Sequence, residues 1–326
     1  WFRTPRPEVR MRLCLMIEGQ ENVTWEQWLA LAGACERHGL EGLFRSDHYL
    51  SVFGQLERGS LDAWATLAGL AAHTSRIRLG TLVSPATFRH PSVLAKSVAT
   101  VDHISGGRVE LGLGAGWYEA EHRAFGFEMP SSGTRLDLLA EQLEIVTRSW
   151  EAGPFSFSGA HYRLEDVSPL PKPLQRPRPT LLIGGAAGPR SAELAARFAD
   201  EYNTTAATID DCKQRHDKLA SAWQQAGRDP DTLRFSLMTT TVVGRDRGEL
   251  RDRLARVLER TGSGERPEDL LANPPERWIL GTVDEVVERL HALEAAGVNR
   301  VMLQHLVHDD LDMVALLGSA VVPAVA

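Results

Sequence analysis

Gly39-Leu-Glu-Gly-Leu-Phe-Arg-Ser-Asp-His-Tyr49 packs a helix stop, a strand and an acid–imidazole pair into eleven residues. Gly39 supplies the left-handed conformation that closes the preceding helix. Gly42–Arg45 reads as a short buried strand, and Asp47-His48 stands where that strand ends. In a barrel of parallel strands, side chains just past the strand ends face the active site. Two adjacent groups that hold and release protons there can do acid–base chemistry. In isolation the pair reads more readily as a surface dipeptide in a loop, so the rest of the chain decides.

Outward from this point the chain alternates strand and helix. Met11–Ile17 reads as a buried strand. Thr24 with Gln27 forms a capping box for a helix whose apolar stripe is Trp25, Trp28, Leu29, Ala32 and Cys35. Downstream, Leu61–Ala72 reads as helix, Ile77–Val83 as strand, Pro91–Val101 as helix and Arg108–Leu113 as strand. Leu136, Leu139, Leu143, Val146 and Trp150 keep helical spacing. A proline-rich crossing, Pro169-Leu-Pro-Lys-Pro-Leu-Gln-Arg-Pro-Arg-Pro179, then leads into strand Thr180–Ile183 and a helix through Ser191–Ala199. Strands are expected near Tyr202–Thr205, over Leu233–Val243 and over Val301–Leu306. The last follows a helix capped by Thr282 and Glu285 and ended by Gly297. Eight strands alternating with helices, without a compositional break, predict an α/β fold with one parallel sheet covered by helices. A single (β/α)8 TIM barrel over 1–326 is the expected architecture. Residues 1–8 form a tail, 119–179 an insertion after the fourth strand, and an open doubly wound sheet is the alternative.

Composition narrows the function classes. The 326 residues carry a formal net charge of −7, with Lys and Arg dispersed, which disfavours binding to nucleic-acid backbones. No apolar run approaches the roughly 20 residues of a membrane span. Trp1-Phe-Arg-Thr-Pro-Arg-Pro7 lacks the apolar core of a secretory signal. Cys14, Cys35 and Cys212 are scattered with no Cys-x-x-Cys spacing, which fits a reducing, cytoplasmic setting. No His, Asp and Glu set has metal-ligand spacing, and Ser46 has no nucleophile-elbow context.

Two glycine-rich segments follow strands. Gly112-Leu-Gly114-Ala115-Gly116 lacks the Gly-x-Gly-x-x-Gly spacing and the acidic residue of a dinucleotide fold. It reads as a tight turn, or as bare backbone against which a flat ring can lie. Gly184-Gly185-Ala186-Ala187-Gly188 leads into a helix through Pro189 and Arg190. Free N–H groups at a helix start favour an anion such as phosphate, and Arg190 adds a charged donor. Thr81-Leu82 and the stretch to Phe88, Arg89 and His90 read as pocket wall, although helix-capping or ion-pair roles suit Arg89 and His90 better. His305, at the last strand's end, is a further candidate for the mouth.

Five segments in order resemble the luciferase-like monooxygenase superfamily: Arg45-Ser-Asp-His-Tyr49; Leu79-Gly-Thr-Leu-Val83 with Phe88-Arg-His-Pro91; Arg108 through Gly116-Trp117; Leu182-Ile-Gly-Gly185 with Ala199-Asp200; and Gly281-Thr-Val-Asp-Glu-Val through Ala296-Gly297-Val-Asn-Arg300. Within it the chain looks most like the branch that uses coenzyme F420, a deazaflavin. The resemblance implies a barrel, a cofactor bound at the strand C-termini and hydride transfer at its ring. It places Asp47 near the cofactor and gives His48 the role of proton donor or ring stabiliser. It matches Gly184–Gly188 to a phosphate cradle and Thr81-Leu82 to a site that often carries a non-prolyl cis peptide. It also implies a homodimer. Where glucose 6-phosphate-oxidising members have a glutamate and a tryptophan, this chain has Trp117 and Val52. A sugar phosphate is therefore not the expected substrate. Trp117, Tyr118, Phe53 and Phe88 imply an apolar, aromatic pocket for a small organic molecule, with Glu119 or Glu121 as replacement acids. The expected function is an F420-dependent oxidoreductase. An FMN-dependent monooxygenase and a flavin-binding barrel without turnover are the alternatives.

Overall fold

The computed structural model describes residues 11–325. The expected tail over 1–8 lies outside them. The strands are β1 (Arg12–Ile17), β2 (Gly42–Arg45), β3 (Arg78–Thr81), β4 (Ser84–Pro85), β5 (Val109–Gly114), β6 (Phe155–Ser158), β7 (Arg163–Val167), β8 (Thr180–Gly184), β9 (Glu201–Thr205), β10 (Arg234–Gly244), β11 (Ile279–Thr282) and β12 (Arg300–Gln304). Eight of them, β1, β2, β3, β5, β8, β9, β10 and β12, pair in parallel in that order, and β12 pairs back onto β1 to close a barrel. These are the eight strands expected from the sequence. The open-sheet alternative is excluded by the closure.

The helices that bear on the site are α1 (Trp25–His38), α2 (Ala63–His73), α3 (Pro91–Ser105), α4 (Glu119–Phe125), α5 (Ser132–Trp150), α6 (Pro189–Phe198), α7 (Ile209–Gln225), α8 (Arg247–Thr261), α9 (Pro267–Ala272) and α10 (Val283–Ala295). Local chemistry sets their ends. The Thr24–Gln27 capping box opens α1, and Gly39 at φ 77° closes it. Glu285 accepts from the Thr282 amide at the start of α10.

The stretch 119–179 is not one inserted block. α5 packs against α3 and α6 as the helix of the fourth strand–helix unit, so the additions are α4 and the β6–β7 hairpin. A second addition, α8–α9–β11, was not expected from the sequence. It extends the sheet along the C-terminal end of β10, where Thr241 pairs with Ile279. It also carries its own apolar cluster around Leu250, Leu254, Val257 and Leu258.

Inside the barrel, strand alternation stacks side chains in layers. The lower layer is ionic. Arg300 meets Glu110 at 2.8 Å and Glu201 at 2.9 Å, lies over the Phe44 ring, and is joined by Arg78 at Glu110. Burial alone would raise the Glu110 carboxyl, but the Arg300 and Arg78 charges and hydrogen bonds hold it below the usual range. Above the ions sit Cys14, Met16, Phe44, Leu82, Leu182 and Met302.

Removing one partner from such a buried set strands the others. Arg300→Met is expected to cost about 3–5 kcal/mol, because Glu110 and Glu201 then face one another across the barrel floor. Urea unfolding of the two proteins measures this. A loss well under 1 kcal/mol would mean that the carboxylates find other partners.

Candidate active site

Alternation along β2 and the residues after it sends Asp47 and His48 in opposite directions. Asp47 is 1% exposed. Its carboxylate accepts from Ser84 at 2.6 Å and from Arg89 at 2.5 Å. Arg89 also bonds Asp62 and Tyr49, so Asp47 anchors a buried network that ties β2 to α2 and to the loop after β4. The partners of Asp47 in the structure are thus protein groups, Ser84 and Arg89, although the resemblance placed it near the cofactor. His90, the other residue of the pair weighed for this loop, caps α3 by accepting from the Ser92 amide.

His48 faces Glu121 instead. Its Nδ1 lies 2.8 Å from Glu121 Oε2, while Oε1 accepts from the amides of Tyr49 and Leu50. Glu121 is fully buried, in the first turn of α4. Glu119, the other weighed acid, is exposed two residues earlier. Burial pulls the His48 imidazole down. The hydrogen bond to Glu121, its charge, and those of Glu18 and Asp47 outweigh burial and leave the pKa raised. Nε2 makes no hydrogen bond among the described residues and is the nitrogen left for a ligand. Trp117 and Tyr118 meet the imidazole edge-on at 5.8 and 6.0 Å, and Trp117 is 64% exposed.

Glu18, missed by the sequence reading, stands one position past β1 on the inward-facing parity of Cys14 and Met16. Its oxygens accept from Gln304 at 2.6 Å and Gln20 at 2.8 Å, and Gln304 also accepts from Thr240. That parity was the available signal: a carboxylate continuing an inward apolar row. His305 follows Gln304 with the opposite parity. It is buried, and burial pushes its imidazole down to about 4, so it is neutral.

The non-prolyl cis peptide joins Leu82 to Val83, one residue beyond Thr81-Leu82. Thr81 bonds the Gly112 carbonyl through its hydroxyl. Val83 fills the space over three glycines: a Cβ added at Gly112, Gly114 or Gly184 would meet its methyls at 3.0, 2.7 and 3.0 Å. The bare backbone there accommodates Val83 in the first instance, and the valine presents the apolar floor. Ala115 and Gly116 continue the turn, with Gly116 at φ 84°. Phe88 stacks between Tyr49 and Phe127, and Phe53 packs on the outer cluster beside Leu306 and Val307, so both serve the scaffold around the mouth.

The Gly184–Gly188 loop is held from below. Tyr202 accepts from the Ala187 amide at 2.8 Å and lies 3.0 Å from the Ser191 hydroxyl; a Cβ on Gly185 would strike it. Gly188 is the N-cap of α6 and has no side chain to cap the first turn. Those N–H groups therefore remain for an anion, which fits a cofactor phosphate. Arg190 turns to α5, 2.5 Å from Asp137. Among the described residues no group of three or more His, Cys, Asp or Glu could hold a metal ion, and no helix is long and apolar enough to cross a membrane.

The chain is 31% identical to the F420-dependent hydroxymycolic acid dehydrogenase of Mycobacterium tuberculosis over 94% of its own length and 86% of that protein's. It is 25% identical to the FMNH(2)-dependent dimethylsulfone monooxygenase of Pseudomonas putida, over 83% of this chain and 80% of that one. The fold matches that of an F420-dependent secondary alcohol dehydrogenase with a TM-score of 0.82 at 22% identity, covering 97% of this chain and 99% of that one. Residues 14–300 match the family described as luciferase-like monooxygenase. The chain belongs to that family, and it is an oxidoreductase of the luciferase-like class.

Proposed function

We propose that this protein is a coenzyme F420-dependent oxidoreductase acting on a small apolar or aromatic alcohol or its carbonyl partner. The observation that carries this is the imidazole of His48, hydrogen-bonded at Nδ1 to buried Glu121, whose charge helps to raise its pKa, with Nε2 and Trp117 at the mouth. Support for the cofactor comes from the uncapped start of α6 below the Gly184–Gly188 loop and from the F420-dependent relative. When bound, the deazaflavin supplies the position that accepts or gives up hydride. The protein's part is to move the matching proton. In alcohol oxidation, neutral His48 takes the hydroxyl proton at Nε2 as hydride leaves the carbon; in carbonyl reduction, the imidazolium returns it. Glu121 holds Nδ1, fixes the ring's orientation and stabilises the charge. Val83 and Trp117 offer apolar surface to the reactants. The reading for FMN and oxygen draws on the Pseudomonas relative, and the same loop would take its phosphate.

Because the folded-state pKa of His48 is raised, its contribution to stability is full below the ordinary value of about 6.5. It is lost as pH rises through the folded value. Alcohol oxidation should accordingly rise with pH through that same value, and carbonyl reduction should fall. In Glu121→Gln the charge that offsets burial is gone, so the limb is expected to move to lower pH. A pH profile of kcat/KM reads this directly, and an unmoved limb would remove Glu121 from its role. His48→Ala should lower turnover by about 10²–10⁴-fold, with cofactor binding retained.

The cofactor assignment is tested by titrating the protein with coenzyme F420 and, separately, FMN, following quenching of its eight tryptophans. Micromolar F420 binding with weak FMN binding is expected. The reverse preference, with oxygen consumption on adding reduced FMN, would make the protein a monooxygenase.

A further inference from the structure

The end of the barrel away from His48 carries more positive charge than the fold there engages. A cavity of about 550 Å3 opens on this floor, among the first residues of the strands. Arg12 begins β1, Arg78 begins β3 and Arg234 begins β10. Arg176 and Arg178 come from the proline-rich crossing before β8, and Arg228 from the turn after α7. Three carboxylates line the same space, Glu41, Glu110 and Asp200. Asp231 stands in an adjoining hollow with Arg12 and Arg234. The volume is that of a small-molecule site. In a chain whose formal net charge is −7, this concentration of guanidiniums runs against the whole.

The pairings separate the arginines that the fold engages from those it does not. Arg12 meets Glu41 at 3.2 Å and Arg178 meets Asp200 at 2.6 Å. Arg78 joins Glu110 at the edge of the ionic layer formed with Arg300 and Glu201. Arg228 closes the C-terminal end of α6, donating to the carbonyls of Ala196 and Ala199 at 3.0 and 2.8 Å, where the helix dipole favours a cation. Burial and the neighbouring Arg178 charge lower its pKa, and Asp200 only partly offsets them. Two arginines remain, both exposed and so not needed for packing. Arg176 donates only to carbonyls of its own turn, those of Pro173, Leu174 and Gln175. Arg234 makes no hydrogen bond or ion pair among the described residues.

We propose that this floor cavity binds a compact multivalent oxyanion, one carrying two or more phosphate or carboxylate groups. Guanidinium forks grip such groups bidentately, and two forks without a carboxylate partner line one cavity. An ion held by Arg176 and Arg234 ties the crossing before β8 to the start of β10. Its work is stabilisation rather than chemistry, because the six residues of β1 put the floor about 20 Å from the mouth. A ligand held only by the folded chain raises the melting temperature by mass action. The site is independent of which cofactor the mouth binds.

The test is isothermal titration calorimetry of the whole chain with pyrophosphate and, separately, citrate, against sodium chloride of matched ionic strength. Saturable binding of either is expected, and the tighter of the two tells phosphate from carboxylate. Arg176→Gln and Arg234→Gln should each weaken it about tenfold, the loss of one charge-assisted hydrogen bond. Without the anion, both variants should melt at or slightly above the parent's temperature, because repulsion within the cluster falls. Ala186→Glu adds a carboxylate at the Gly184–Gly188 loop, the other place where an oxyanion could lodge, and should leave the affinity unchanged. Binding lost in Ala186→Glu but kept in both arginine variants would put the ion at the cofactor loop and overturn the floor site. Heats no different from those of sodium chloride would overturn it as well, since they would mean screening alone.

Discussion

A closed ring of eight parallel strands has an interior that side chains must fill, and everything at the mouth depends on how this one is filled. Arg300 does it from below, drawing Glu110 and Glu201 around a single guanidinium under Phe44. Methionine, leucine and phenylalanine side chains occupy the middle. At the top, the interior positions of β5 and β8 are glycines, and Val83 enters the space they leave. The barrel is therefore plugged below its upper rim.

On that rim one buried carboxylate organises the imidazole of His48. Glu121 accepts from two consecutive amides after β2 and binds His48 Nδ1, so α4 is fastened over the strand end through the same group that sets the proton's energy. Burying a carboxylate is costly unless its oxygens are satisfied, and here both are. The Asp47–Arg89–Asp62 network steadies the opposite face of the same segment. His48 is held between these two fixed points, with aromatic rings on its open side.

Much of the fold was legible because periodicity and punctuation are local. Thr24 with Gln27, Gly39, Gly297 and the run Thr180–Ile183 each announce an element without reference to the rest of the chain. The α8–α9–β11 addition escaped notice because β11 has only four residues, and its pairing is to the far end of β10, a long-range choice. The candidate site was partly legible in the same way. His48 and the Gly184–Gly188 loop stand just past strand ends, where position alone made them candidates. Glu18 was passed over because an apolar run was read to its last hydrophobic residue, although the inward row continued one step further.

The order of eight strands, the caps, the glycine loop and the presence of an acid and an imidazole at the second strand's end were set by sequence, since each follows from neighbouring residues. Which acid serves the imidazole was decided by tertiary structure alone. Asp47 adjoins His48 in the chain, yet alternation turns it toward Arg89, and Glu121, 73 residues away, takes its place. The arginine-lined cavity on the barrel floor likewise exists only once the first residues of distant strands are drawn into one ring. Packing brings together residues that no local pattern connects, and burial then sets what their charges are worth.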